Sequence, residues 1–141
     1  MVTMKDNYIH HTQGRSPKVN ENTILHATNN YFYDNTGHAF EVGQGGYVIA
    51  EGNIFQNVNA PLDSSSLNGV IFTSPTAGGN TVCANYLGRN CFLNAFGSSG
   101  SFEGTGAGDW MSNFQGKNIA PCFPTQDVKE DIRANAGYGK I

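Results

Sequence analysis

Charge is scarce in this chain. Asp, Glu, Lys and Arg make up 13% of its 141 residues and sum to a net charge of −3, about half the usual charged share. Without a basic stripe, nucleic acid is not an expected partner. No apolar run approaches the roughly 20 residues that cross a bilayer, so a membrane is not an expected partner either. The three cysteines, Cys83, Cys91 and Cys122, are too few and odd in number for a dense disulfide framework. By composition alone Cys83 and Cys91 are close enough to ring a short loop in an oxidising compartment, and all three are equally readable as unreactive thiols. Trp occurs once, as Trp110, and helical spacing of apolar residues is rare.

What the chain does have is a repeat. Asn-Tyr-Ile begins at Asn7, Asn-Tyr-Phe at Asn30 and Asn-Ile-Phe at Asn53, at intervals of 23 residues. The same interval aligns Val2, Leu25 and Val48; Met4, Ala27 and Ala50; Ile9, Phe32 and Phe55; Gly14 and Gly37; and Val19 and Val42. A chance recurrence of Asn before an aromatic residue would not bring these hydrophobic columns with it. Each unit holds short runs of Val, Ile, Phe and Tyr bounded by Gly, Asn and Asp, the pattern of strands between turns. About three short strands per 23 residues is one rung of a right-handed parallel β-helix, an all-β solenoid whose rungs lie about 4.8 Å apart. Asn7, Asn30 and Asn53 are then expected to stack as a ladder, because Asn tolerates tight-turn backbone and its amide bonds to the amides above and below.

The chain reads as a single partial β-helix domain. Coils are expected over residues 1–73, a loop-rich extension over 74–124 and a helix over 125–137. Within the extension, residues 81–87 suggest a short helix and 92–96 a strand. In the last segment Val128, Ile132 and Ala136 form an apolar stripe. Thr125 is the expected N-cap, Gly137 the left-handed C-cap, and the stripe is expected to shield the open end of the last coil. The repeat starts near residue 2 without a basic or apolar leader. An uncovered coil exposes its core and strand edges, so the chain is expected to be the carboxy-terminal portion of a longer protein.

Candidate chemistry concentrates in residues 10–19, where His10, His11, Arg15 and Lys18 gather in a charge-poor chain. The 23-residue register sets His38 beside Arg15 and Glu41 beside Lys18. The Lys18 and Glu41 pair reads as a cross-rung ion pair of small energetic value. Strict strand alternation would point Arg15 inward, where an unpaired guanidinium is untenable, so Arg15 is expected on a turn and exposed. His10 and His11 are expected on opposite sides of a strand, so no metal-ligand set is read there. Gly43-Gln44-Gly45-Gly46 lacks the Lys-Ser/Thr and the strand-to-helix transition of a phosphate loop and reads as a turn.

The segments Asn7-Tyr-Ile-His-His-Thr-Gln-Gly-Arg-Ser-Pro-Lys-Val19, His26-Ala-Thr-Asn-Asn-Tyr-Phe-Tyr-Asp-Asn35, Gly37-His-Ala-Phe-Glu-Val42 and Gly46-Tyr-Val-Ile-Ala-Glu-Gly-Asn53 closely resemble the fungal pectin lyases of polysaccharide lyase family one. Gly88-Arg-Asn-Cys91, Phe96-Gly-Ser-Ser-Gly100 and Phe114-Gln-Gly-Lys-Asn-Ile119 extend the resemblance. It implies a secreted, monomeric β-helix enzyme that cleaves methyl-esterified polygalacturonan, pectin, by β-elimination. Arg15 would be the catalytic residue, with Lys18 and His38 binding substrate. No cofactor is implied, calcium included, since esterification already acidifies the C5 proton and removes the carboxylate charge. The resemblance also implies a Cys83–Cys91 disulfide. Asn20 stands where the broader lyase pattern Arg-x-Pro-x-x-Arg has its second Arg, and Phe32 where the family often has Trp. Two other readings differ in class: a solenoid that only binds pectin, and a calcium-dependent pectate lyase relative.

Overall fold

A computed structural model describes residues 1–74, 77–137 and 139. Its rungs are set by turns at which the backbone turns left-handed in fixed columns. Asp6, Asn29 and Gly52 have φ of 56°, 50° and 60°; His11, Asp34 and Asn57 have 55°, 53° and 57°; Asn22 and Gly45 have 57° and 71°. Gly, Asn and Asp hold most of these positions because they tolerate that region best.

Between the turns run strands β1 (Val2–Lys5), β2 (Tyr8–His10), β3 (Lys18–Val19), β4 (Thr23–Thr28), β5 (Tyr31–Val42), β6 (Gly46–Glu51), β7 (Ile54–Leu62), β8 (Val70–Phe72) and β9 (Ala95–Gly97). All the pairings between them are parallel. One sheet has the order β1-β4-β6-β8 and a second the order β2-β5-β7-β9. β5 also turns a corner to pair with β3, matching Lys18 to Glu41 and Val19 to Val42 on a third face. The solenoid is as expected, with Val2, Leu25 and Val48 in register and Ile9, Phe32 and Phe55 likewise, and the structure extends these columns to Ile71 and Phe96.

Two columns fill the interior. Phe32 stacks on Phe55 at 4.9 Å and Phe55 on Phe96 at 5.2 Å, both pairs with nearly parallel rings. Phe32 and Phe55 are fully buried, so Phe32 belongs to the core and presents no ring to a ligand. The asparagine column is a hydrogen-bonded ladder. Nδ2 of Asn7, Asn30 and Asn53 donates to Oδ1 of Asn30, Asn53 and Asn94 at 2.8, 3.0 and 3.1 Å. Each accepting amide also takes the backbone N–H of the residue one rung earlier. The fourth member, Asn94, lies 41 residues after Asn53 instead of 23.

The longer interval holds an excursion between β8 and β9. Helix α1 spans Ala77–Leu87, longer than the 81–87 expected, and a disulfide joins Cys83 to Cys91 with Cα atoms 5.7 Å apart. Cys83, Leu87 and Cys91 pack with Met111 and Phe114 of a 3-10 turn (Asp109–Phe114) onto Ile49 and Phe72, on the outside of the first sheet. Trp110 joins them, its indole donating to the Gly106 carbonyl at 2.8 Å and its ring 5.3 Å from Tyr47. Beneath this layer Glu51 is wholly buried, accepting from Arg89 at 2.6 and 2.9 Å and meeting His26 at 2.7 Å. Burial pushes the Glu51 carboxyl up, but the hydrogen bonds from His26 and Arg89 outweigh it and hold the group below its usual range. Cys122 is the free thiol, and burial pushes it up to about 12.

Three expectations for the last helix are corrected. α2 spans Thr125–Asn135, so Thr125 is its first residue; Pro124 precedes it with no side-chain cap, and its carbonyl accepts from Asp127 N–H at 3.0 Å. Thr125 loses the cap because Pro124 already supplies the extended entry and the carbonyl that starts the helix. Val128 and Ile132 pack on Tyr31 and Ile54, with Tyr8 and Tyr33 alongside. α2 therefore covers the outer face of the second sheet and not the end of the last coil, because that face carries an apolar stripe of its own. Gly137, the expected left-handed C-cap, has a positive φ of 125°, but the helix closes one residue earlier, at Ala136, whose extended backbone donates its N–H to the Ile132 carbonyl.

Asn53→Ala should destabilise the fold by about 3 kcal/mol, because it orphans several buried partners, whereas Asn7→Ala at the exposed end of the ladder should cost under about 1 kcal/mol. Urea denaturation distinguishes the two. Arg89→Met strips Glu51 of its charge partner and should cost about 3 kcal/mol by the same measurement.

Candidate active site

The groups singled out in residues 10–19 separate into two places. Arg15, Lys18 and His38 come together; His10 and His11 do not join them in any hydrogen bond or ion pair described. Pro17, through its cis peptide bond to Ser16, leads the loop into β3. Arg15 lies on that loop, its side chain 56% exposed, as the alternation argument required. Lys18 stands on β3 and His38 and Glu41 on β5, one rung further on.

Glu41 is where they converge. One carboxylate oxygen, Oε2, accepts from Arg15 Nε at 2.5 Å and lies 3.2 Å from His38 Nε2. The other, Oε1, is 2.8 Å from Lys18 Nζ. The Lys18 ammonium, then the Arg15 guanidinium, hold the Glu41 carboxyl far down, at about 2. Rung register alone pairs Lys18 with Glu41 and sets Arg15 beside His38. The loop runs alongside β5 in rung register, with Ser16 N–H bonded to the Ala39 carbonyl and Glu41 N–H to the Pro17 carbonyl, and the long Arg15 side chain reaches past His38 to the carboxylate three positions further along that rung. A bulge in β5 between Asn35 and His38 shifts its register with β7 and helps set the position of His38.

Beside this cluster lies an open groove of about 680 Å3, lined by Lys18, Glu41 and the turn residues Asn20, Glu21, Asn22, Gln44 and Asn68, among others. Its wall is polar and presents amides, one ammonium and carboxylates, which suits a hydroxylated, extended ligand. The Gly43–Gly46 stretch is a turn on this wall, as expected, and Gly45 has a φ of 71°. On the next rung Asp63 sits within 4.8 Å of His38 and Glu41, counting ligand atoms. Its carboxyl is held down first by hydrogen bonds from Ser65 and Ser66. These three residues are the densest donor set for a cation among those described, but both Glu41 oxygens already face cationic side chains. A dication there would have to displace Lys18 or Arg15.

The histidine pair is corrected. β2 ends at His10, and His11 takes a left-handed backbone with φ 55°, which brings the two rings to the same side. Their Nδ1 atoms lie 2.8 Å apart, and His11 Nε2 is 3.1 Å from Asp34 Oδ2. Strict alternation fails because the strand stops one residue earlier than the pattern suggested.

The chain is thus a parallel β-solenoid with a basic cluster on one face beside a polar groove, and comparison with known proteins gives the family. A family model described as "Pectate lyase" matches residues 1–141. The chain belongs to that family. It is 56% identical over 141 residues to probable pectin lyase A of Aspergillus oryzae and 57% to probable pectin lyase D of Emericella nidulans. To pectin lyase A of Aspergillus niger it is 52% identical. All of this chain is covered in each case, but only 37%, 37% and 36% of the relatives. The chain thus spans little more than a third of the curated relatives it matches. No described helix is long and apolar enough to cross a membrane, which says nothing of strands.

Since the folded Glu41 value lies near 2 against an ordinary 4.5, its contribution to stability is present above about pH 4.5 and lost as pH falls through 2. A carboxyl 13C NMR titration should place its midpoint at about 2. Lys18→Met should move that midpoint upward.

Proposed function

We propose that this chain is part of a pectin lyase, cleaving methyl-esterified (1→4)-α-galacturonan by β-elimination to leave a 4,5-unsaturated end. The observation that carries the reading is the convergence of Arg15, Lys18 and His38 on Glu41 beside the open groove. Supporting it, the chain is 52–57% identical over its length to proteins named pectin lyase. In this reading the C5 proton passes to solvent water, the C5–H electron pair forms the C4–C5 double bond, and the glycosidic oxygen leaves C4 with its bonding pair and takes a proton back from water.

Arg15 is the catalytic residue. A guanidinium stays protonated in proteins, so its readiest role is to stabilise the enolate-like charge that develops on the ester as C5 loses its proton. Glu41 is a positioning residue, fixing the Arg15 fork and the Lys18 ammonium in one geometry. Lys18, on the groove wall, and His38 bind substrate. A neutral methyl ester needs no dication to mask its charge, and in the densest donor set among the described residues both Glu41 oxygens already face Lys18 and Arg15, so we propose that turnover is independent of calcium. The same reading makes the protein secreted, where the Cys83–Cys91 disulfide would persist, and monomeric.

The test is a full-length protein containing this segment, incubated with highly methylated pectin and a chelator, with ultraviolet absorbance of the unsaturated product as readout. Product should accumulate with chelator present, and Arg15→Lys should lower kcat by about 10²–10³ with an unchanged melting temperature. Near-normal turnover in that variant would remove Arg15 from the chemistry. Binding without product would support a pectin-binding solenoid, and chelator-sensitive cleavage of unesterified substrate a pectate lyase.

A further inference from the structure

We propose that His10 and His11 form a surface site for one late first-row divalent transition-metal ion, such as Zn2+ or Cu2+, bound through both Nδ1 atoms with Asp34 fixing the His11 ring. The site is separate from the cluster around Glu41 and does not depend on the function proposed above.

The left-handed backbone at His11 puts consecutive imidazoles on one side of the chain with their Nδ1 atoms 2.8 Å apart. An ionised carboxylate only accepts hydrogen bonds. Asp34 Oδ2, 3.1 Å from His11 Nε2, therefore keeps the His11 proton on Nε2 and leaves the Nδ1 lone pair facing His10. This carboxylate–histidine arrangement is how proteins commonly orient a metal-binding imidazole. Asp34 owes its place to the solenoid, because it occupies the same left-handed turn column as His11, one rung on.

Without metal, the contact is a hydrogen bond in which His10 Nδ1 donates to His11 Nδ1. With metal, His10 carries its proton on Nε2 instead, and both Nδ1 lone pairs meet the ion. Imidazole–zinc bonds of about 2.0–2.1 Å at a tetrahedral angle need the nitrogens about 3.3 Å apart. The required opening is about half an ångström, which two exposed rings allow. Tyr8, with its centroid 4.5 Å from the His10 ring, and Tyr33, edge-on to His11 at 5.9 Å, limit the other rotations. The His11 side chain is 62% exposed, so water completes the coordination.

Calorimetric titration of the 141-residue chain with zinc chloride should show one ion bound, with Kd on the order of 10 μM. His10→Ala and His11→Ala should each abolish that binding, and Asp34→Asn should weaken it roughly tenfold. In the unaltered chain, imidazole 15N spectra should show both Nδ1 resonances shifting on zinc addition, which tests the site even where a variant folds poorly. Absence of binding at millimolar zinc would overturn the proposal. So would binding that survives His10→Ala, or binding lost in Glu41→Gln, which would locate the ion at His38, Glu41 and Asp63.

Discussion

Everything in this structure depends on amides that bond from rung to rung. In a parallel solenoid each turn must place its polar backbone where the next can satisfy it, and a buried turn without partners costs several kcal/mol. The asparagine column answers this with one residue per rung, whose side chain accepts from the rung before and donates to the rung after. Asn30 and Asn53 also donate back to the carbonyls of Met4 and Ala27. The ladder therefore fixes both the vertical spacing and the rotational register of the coils. The phenylalanine stack, the left-handed turn columns and the alignment of Lys18 with Glu41 all follow from that registration.

Much of the fold was legible because register is a sequence property wherever rungs are equal in length. Val2, Leu25 and Val48, or Ile9, Phe32 and Phe55, need only a constant interval to be found. Asn94 and Phe96 were missed as ladder and stack members because the excursion through α1 lengthens their interval to 41. The buried Glu51, His26 and Arg89 group escaped for a related reason. Arg89 comes from the excursion, and no periodicity links a helix-and-loop insertion to the sheet it covers. For α2 the apolar stripe was visible, but which surface it meets depends on the outward residues Tyr31 and Ile54, which a reading centred on the inward columns passes over.

The basic cluster was half legible. The pairing of Lys18 with Glu41 and the exposure of Arg15 follow from register and from the cost of burying a guanidinium. That Arg15, Lys18 and His38 share one carboxylate does not, since it depends on how far the Arg15 side chain reaches along the neighbouring rung, which register does not specify. Rung stacking thus supplies the floor of the site and an irregular loop supplies its reactive edge, a division common where a rigid scaffold carries chemistry on its connections.

The excursion that breaks the 23-residue count leaves from the first sheet, while Lys18 and Glu41 stand on the third face. Chain can be added or remodelled between β8 and β9 without moving the wall of the groove, provided that Asn94 still closes the ladder. A coil of this kind keeps its working surface and its site of structural variation on separate sides, so growth in one need not be compensated in the other.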